Sequence, residues 1–406
     1  MNCRVCNFSI IKFFSLGQIP LVNFFLKKEE ISNEEKFDLT VGFCPKCYLV
    51  QLTNTVSPEK LFRNYIYFSS TSTSFLEHCK KTAEYLTKRL NLDSQNLVLE
   101  IASNDGAQLQ FFKELGIQTL GIDPAENIAE MANQKGIETI PEFFNSVFAE
   151  KLKEERGIQA DLIFGANVLA HVPEIIDFIK GVKIILKPKG TAVFGFPYIQ
   201  GLMENKFDTI YHEHVFYYSL IALRNLFKTA ELEIYDVEMT PLQGGSLRIF
   251  ISHPGNFPIS ENAKKLVEEE FKNGFDKIET YQKIEGRVSK LKIELIALLE
   301  KIKNNGQKIA VYSAPAKGNI LLNYFGIKDY LDFIVDKSEA KQGLYTPGTH
   351  LLVHPLNKIY EQKPDYLLIL CWNIADEIID MPELQKYRKQ GGRFIVPIPV
   401  IKVFKK

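Results

Sequence analysis

The run from Asn96 to Asp123 constrains this chain more than any other. Asn96-Leu97-Val98-Leu99-Glu100-Ile101 has the length and the apolar content of a buried strand. Ala102-Ser103-Asn104-Asp105-Gly106 follows as a turn, then a helix over about Ala107–Leu115, then Thr119-Leu120-Gly121-Ile122 as a second strand ending at Asp123. Strand, turn, helix, strand, acid predicts a doubly wound α/β domain that binds its ligand at the carboxyl ends of the strands. An acid about 20 positions on can accept from both hydroxyls of a ribose. A dinucleotide needs a glycine-rich turn so that its pyrophosphate can approach backbone N–H groups. Here the turn holds only Gly106, and Glu100 and Asp105 crowd it. Acids repel a pyrophosphate and suit the cationic sulfonium and amino group of S-adenosylmethionine; the plainer alternative is a capped turn with solvated carboxylates.

The next segments continue the pattern. Ala160 to Asn167 reads as the fourth strand of such a sheet, followed by Leu169-Ala170-His171-Val172 and a helix. Lys187-Pro188-Lys189-Gly190 then leads into a strand from Thr191 to Phe196, ending in Pro197-Tyr198.

Of six cysteines, four form Cys-x2-Cys twice, as Cys3/Cys6 and Cys44/Cys47. Each pair places two thiolates on one tight turn, and two turns complete a tetrahedral zinc site. Four thiolates fill the tetrahedron, so the predicted zinc is structural and not catalytic. Disulfides are disfavoured in a chain without a secretion signal. Cys79 and Cys371 stand alone and read as packing residues.

At 406 residues, two or three domains are expected. Basic and acidic side chains balance at 49 each, which leaves no electrostatic footprint for nucleic acid or an anionic membrane. No apolar run approaches the roughly 20 residues that span a bilayer, and Met1 to Cys6 has no apolar signal core. The expectation is a cytoplasmic protein without a membrane or nucleic-acid partner.

Tyr211-His212-Glu213-His214 gathers two of the seven histidines with a tyrosine and a glutamate. Histidine is the usual general base near neutral pH, tyrosine can donate to a developing oxyanion, and a carboxylate can fix a neighbouring imidazole in one tautomer. A polar loop with two surface histidines is the bland alternative. In a regular strand Tyr211 and Glu213 would face away from His214, so a shared site requires a turn or an irregular loop.

Residues 260–305 read as one long helix, in which Ile284, Val288, Leu291, Leu295, Leu298 and Ile302 step by four and three and Gly286 is a bending point. A second α/β unit follows: strands at Gln307–Tyr312, Phe333–Val335 (ending at Asp336) and Tyr366–Cys371, with the turn Ser313-Ala314-Pro315-Ala316-Lys317-Gly318-Asn319 opening a helix. Small residues and Lys317 at that helix start suit an anion, or equally a tight crossover.

With these motifs together, the chain resembles the S-adenosylmethionine-dependent C-methyltransferases that act on nucleotide-linked 4-keto-6-deoxyhexoses. The resemblance runs from Cys3 to about Pro399. It rests on the two cysteine pairs, Ser103-Asn104-Asp105-Gly106, Asn167 to Val172, Tyr211 to His214, Gly244-Gly245-Ser246-Leu247-Arg248 and Ala314 to Asn319, in that order. It implies an α/β multidomain chain: a small zinc-binding domain over 1–75, a Rossmann-like class I methyltransferase domain over 76–255, a linker helix over 256–305 and a second Rossmann-like domain over 306–406 that holds the nucleotide sugar. It implies His214 as the base, with Tyr211, Glu213 and His171 beside it. The methyl donor would lie against Glu100, Ala102, Asn104, Gly106, Asp123, Pro124 and Asn167. Tyr65 or Tyr67, with Ser69, matches the substrate side, and Arg248, Lys317, Trp372 and Asn373 are the candidates for its nucleotide end. Methylation at carbon 3 or carbon 5 through an enolate follows. The chain departs from the family pattern at Gly195, Gln243 and Ser313. The rival reading is a zinc-ribbon-bearing methyltransferase for another small molecule or RNA.

Overall fold

The computed structural model describes every residue except 64, 66, 67, 72, 241–243, 405 and 406, so Tyr67 and Gln243 lie outside the described residues. Its centre is a seven-stranded sheet. In spatial order the strands are Glu233–Thr240, Ser246–Ser252, Leu186–Pro197, Ala160–Ala166, Leu97–Ile101, Gln118–Ile122 and Thr139–Ile140. The last five run parallel, and the first two form an antiparallel edge. Helices cover both faces, which is why the inner strands are apolar almost throughout: Val98, Leu99, Ile101, Leu162 and Ile163 are all buried.

The amino-terminal sheet is antiparallel: Ile11–Pro20, Lys36–Phe43, Val50–Leu52 and, from far along the chain, Phe216–Tyr217. That two-residue strand directly follows Tyr211–Val215. The Val215 N–H reaches the Ala170 carbonyl at 2.7 Å while its own carbonyl accepts from the Leu52 N–H at 2.8 Å. The histidine loop is thereby pinned between the amino-terminal and central sheets.

The third sheet orders Val353–His354, Phe333–Val335, Ile309–Tyr312, Tyr366–Ile369, Arg393–Val396 and Lys402–Phe404, antiparallel only at the last pair. It repeats the layout of the central sheet down to the acid. Asp123 accepts from the Asn104 and Ala125 N–H groups, both at 2.9 Å. Asp336 likewise accepts from the Ala314 and Ser338 N–H groups, both at 2.8 Å. The departure at Ser313 falls on a left-handed backbone, φ 71°, where glycine is the easy residue; here the serine hydroxyl bonds Asp336 at 3.0 Å.

The predicted single helix over 260–305 is instead two, Glu261–Lys272 and Ile278–Asn304. The break is at Gly274, whose φ of 72° ends the first helix, and Gly286 lies inside the second without interrupting it. The buried stripe of the second helix uses Leu299 where Leu298 was expected, and adds Tyr281. Glu270 on the first helix is buried and caps another, accepting from the Leu220 and Ile221 N–H groups at 2.6 and 2.8 Å and from the Tyr198 hydroxyl at 2.8 Å. Burial pushes its carboxyl up to about 7. Among the described residues no helix is long and apolar enough to cross a membrane.

Candidate active site

Two groups of residues meet at the carboxyl ends of the central strands. The first is the turn after Leu97–Ile101. Ala102, Asn104 and Gly106 all have positive φ, 58°, 49° and 78°, a cluster of uncommon conformations for which the two non-glycine residues need firm support. A Cβ at Gly106 would stand 3.0 Å from the Ile137 side chain, so a larger residue there would have to push that side chain aside as well as adopt positive φ. Support comes from the Ala102 N–H on the Ile122 carbonyl at 2.7 Å and from Asp123 on Asn104. Asn167, at the end of the neighbouring strand, also has positive φ, 60°, with its N–H on the Gly195 carbonyl at 2.6 Å. Pro124 lies half-buried beside Asp123.

Three acids crowd this turn. Glu100 is buried, its Oε2 has no hydrogen-bond partner among the described residues, and burial beside Asp123 and Asp105 raises its carboxyl well above the ordinary range. Burial raises Asp123 as well. Asp105 is held by Lys135 at 3.0 Å and by the Ser70 hydroxyl. Such a cluster calls for a cationic ligand, and each Asp123 oxygen, carrying one backbone N–H, retains a lone pair for a ribose hydroxyl. The residues present therefore fit S-adenosylmethionine. Ser69, expected on the substrate side, instead points its N–H at the Asn104 side chain, 2.9 Å away.

The second group is the histidine loop, which is a turn and not a strand: the His214 N–H bonds the Tyr211 carbonyl at 2.9 Å. The turn brings Tyr211 and His214 to one side. The Tyr211 hydroxyl lies 2.7 Å from His214 Nε2, and His214 Nδ1 lies 2.9 Å from the Thr209 carbonyl oxygen. A carbonyl can only accept, so Nδ1 carries the proton and Nε2 presents its lone pair. Burial, with help from His171 and Lys317, holds the His214 imidazole well below its ordinary pKa, so it is neutral at pH 7. His171 packs edge-on against it, ring centres 4.9 Å apart, and burial alone lowers His171 to about 4. A neutral, oriented imidazole beside a phenol and a second neutral imidazole can take a proton from carbon and stabilise the oxygen that becomes negative.

Glu213 does not hold His214. It turns the other way, accepting from Asn23 Nδ2 at 2.6 Å and the Tyr65 hydroxyl at 2.9 Å, and burial pushes it up to about 7. The Thr209 carbonyl does the orienting that the sequence suggested for a carboxylate. His212 is remote from this work: its Nε2 bonds the Phe37 carbonyl at 3.3 Å, on a shallow cleft of about 250 Å³ lined by Gln18, Lys36 and Asn54. Asn23 escaped the sequence reading because a single asparagine on a loop carries no pattern.

Residues of the third sheet approach from the far side. The Trp372 indole N–H donates to Asp208 at 2.7 Å, and Lys317, half-buried, stands over the same indole at 5.4 Å. Gly244 closes on that ring so tightly that a Cβ would sit 2.7 Å from it. Asn373 follows on the exposed side. Arg248, expected with this group, is taken up elsewhere, by Glu238 at 3.3 Å and Thr82 at 3.2 Å.

The cysteines form a separate cluster. All four Sγ atoms lie within 4.8 Å of one another, with Cys3–Cys47 at 3.5 Å and Cys6–Cys44 at 3.4 Å. Sulfurs about 2.3 Å from a common zinc are roughly 3.8 Å apart, so the four fit a tetrahedral ion. Thiol contacts with Cys44 and Cys47 pull Cys3 far down, while the contact with Cys3 pushes Cys44 up to about 11. Four thiolates coexist here only with a cation between them. The Val5 N–H and the Gln51 amide point at Cys3 Sγ, 3.4 and 3.2 Å away, the donors expected around a thiolate ligand.

Three family models match successive parts of the chain. A "Putative zinc binding domain" matches residues 3–62, a "Methyltransferase domain" residues 74–237, and a "C-methyltransferase C-terminal domain" residues 241–399. The C-methyltransferase NovU of Streptomyces niveus is 34% identical over 403 residues, 98% of this chain and 95% of its own. Among solved structures, an S-adenosylmethionine-dependent methyltransferase from Clostridium acetobutylicum is 11% identical, covering 44% of this chain and 92% of its own at a TM-score of 0.36. The magnesium protoporphyrin IX methyltransferase of Synechocystis is 14% identical, covering 44% and 83% at 0.35. With the near full-length relative and all three domain matches, the chain belongs to the S-adenosylmethionine-dependent C-methyltransferases, with S-adenosylmethionine and zinc as its cofactors.

Proposed function

We propose that the protein methylates a ring carbon, carbon 3 or carbon 5, of a nucleotide-linked 4-keto-deoxy sugar, with His214 as the base. The observation that carries this reading is the His214 tautomer: Nδ1–H on the Thr209 carbonyl and the Nε2 lone pair facing the Tyr211 hydroxyl. The ketone at carbon 4 acidifies the neighbouring C–H. His214 Nε2 takes that proton, and the C–H electron pair moves to the carbonyl oxygen as an enolate. The Tyr211 hydroxyl turns from Nε2 to that oxygen, and His171 is the second donor. The imidazolium is stabilised through Nδ1–H by Thr209, then returns its proton to solvent.

Glu100, Asp105 and Asp123 hold the donor, with Ala102, Asn104, Gly106, Pro124 and Asn167 shaping its cradle. When bound, S-adenosylmethionine would supply an electrophilic methyl group for the enolate carbon, with S-adenosylhomocysteine as the leaving group. Tyr65 and Glu213 face the sugar, and Lys317, Trp372 and Asn373 the nucleotide end. Cys3, Cys6, Cys44 and Cys47 hold a structural zinc with no chemical step. The domain divisions expected from the sequence, 1–75, 76–255, 256–305 and 306–406, are carried over as part of the same reading.

Incubation with S-adenosylmethionine and a panel of nucleoside-diphosphate 4-keto-6-deoxyhexoses, read by mass spectrometry and NMR, tests it. A methyl group gained on a carbon beside the ketone is expected. Methylation on oxygen or nitrogen, or of none of the panel, would overturn it.

A further inference from the structure

We propose that Asp208 is a positioning residue through which the third sheet fixes the orientation of the catalytic imidazole. The case rests on three consecutive residues of one short 3-10 turn, Phe207–Thr209, each tied to a different neighbour. The Phe207 ring stacks on Phe325, centres 5.1 Å apart, and packs on Tyr324 at 5.7 Å; both belong to the helix Ala316–Phe325 of the third sheet. Asp208 is wholly buried and accepts the Trp372 indole N–H at 2.7 Å. Thr209 offers its carbonyl to His214 Nδ1 at 2.9 Å. The turn thus has two anchors on the third sheet and one output, the tautomer of His214.

Physical reasons favour a built device over incidental packing. A buried carboxylate is expensive unless it is paired and hydrogen-bonded. Burial pushes the Asp208 carboxyl up to about 6, and the Trp372 indole N–H, donating at 2.7 Å, and the charge of the half-buried Lys317 oppose that shift. An apolar residue would fill the same position without that cost. The carboxylate instead makes the position of the turn depend on Trp372 and Lys317. Both are candidates for the nucleotide end of the substrate, so the base is aimed from the part of the fold that holds the rest of the ligand.

This rests on the assignment of His214 as base, and the test separates the two. The substrate-free, full-length protein is labelled with ¹⁵N-histidine, and the His214 signal is assigned by its loss in His214→Asn. Wild type is expected to show the Nδ1–H tautomer. Trp372→Phe and Asp208→Ala are expected to give mixed tautomers, while Asp208→Asn, which retains an oxygen for the indole, stays closer to wild type. Deuterium exchange into the carbon beside the ketone of a nucleoside-diphosphate 4-keto-6-deoxyhexose should fall roughly ten- to a hundredfold in Asp208→Ala, the scale of a misplaced catalytic group. S-adenosylhomocysteine affinity should hold. In the substrate-free tautomer readout, adding Trp372→Phe to Asp208→Ala should change little more, because both act through one bond. A folded Asp208→Ala or Trp372→Phe protein with the wild-type tautomer and exchange rate would overturn the proposal. If instead His214→Asn itself exchanges normally, the base assignment fails, and the tautomer result still decides the role of Asp208.

Discussion

The Tyr211 hydroxyl stands 2.7 Å from His214 Nε2, on the nitrogen whose lone pair the Thr209 carbonyl leaves available. Removing this donor should slow turnover by about two to three orders of magnitude, the cost of deleting one oxyanion donor. Tyr211→Phe keeps the ring and its packing, so the loss should appear in kcat more than in KM. Steady-state kinetics with S-adenosylmethionine and a 4-keto sugar check it.

Asp123→Ala should weaken S-adenosylhomocysteine binding, on the scale of about 1.5–3 kcal/mol for a charged hydrogen bond. Because the carboxylate also holds the Asn104 and Ala125 N–H groups, Asp123→Asn, which keeps one oxygen, should fall between. Calorimetry on all three proteins gives the order directly.

Much of this was legible in the sequence, and the rest was hidden for identifiable reasons. Central strands such as Leu97–Ile101 carry unbroken apolar runs, and the paired cysteines carry a spacing, so both were readable. The partners of Glu213, Asn23 and Tyr65, lie 190 and 148 positions away, and no local period reports contacts of that kind. Asp208 was invisible for the same reason, its indole partner being 164 positions on. For Arg248, β alternation indicates a face of the sheet but not which helix covers it, and here the covering helix supplies Thr82. Phe216–Tyr217 is too short to announce itself as a strand of the amino-terminal sheet.

Metal analysis of the purified protein should find about one zinc per chain. Cys44→Ser or strong chelation should lower the melting temperature sharply, because binding of a structural zinc is part of the folding free energy. A metal-free protein that remains fully folded would contradict the zinc assignment.

His212 makes a stability prediction with a definite sign. Burial lowers its pKa from 6.5 to about 4. The unfolded chain therefore takes a proton first as pH falls, so the contribution of His212 is complete above about 6.5 and is lost towards 4. His212→Gln, whose amide can still donate to the Phe37 carbonyl, should lose about 2 kcal/mol less than wild type between pH 7 and pH 5. Thermal melts at the two pH values measure it.

The central claim, that His214 removes the proton, is tested most directly by isotope exchange. Wild-type protein is incubated in deuterium oxide with a nucleoside-diphosphate 4-keto-6-deoxyhexose and S-adenosylhomocysteine in place of the donor. Deuterium should enter the carbon beside the ketone. His214→Asn should reduce that rate by roughly 10²–10⁴ with sugar binding largely intact, and His212→Gln should leave it nearly unchanged. Exchange that survives loss of His214 but disappears with His171 would move the base to His171 and contradict the account.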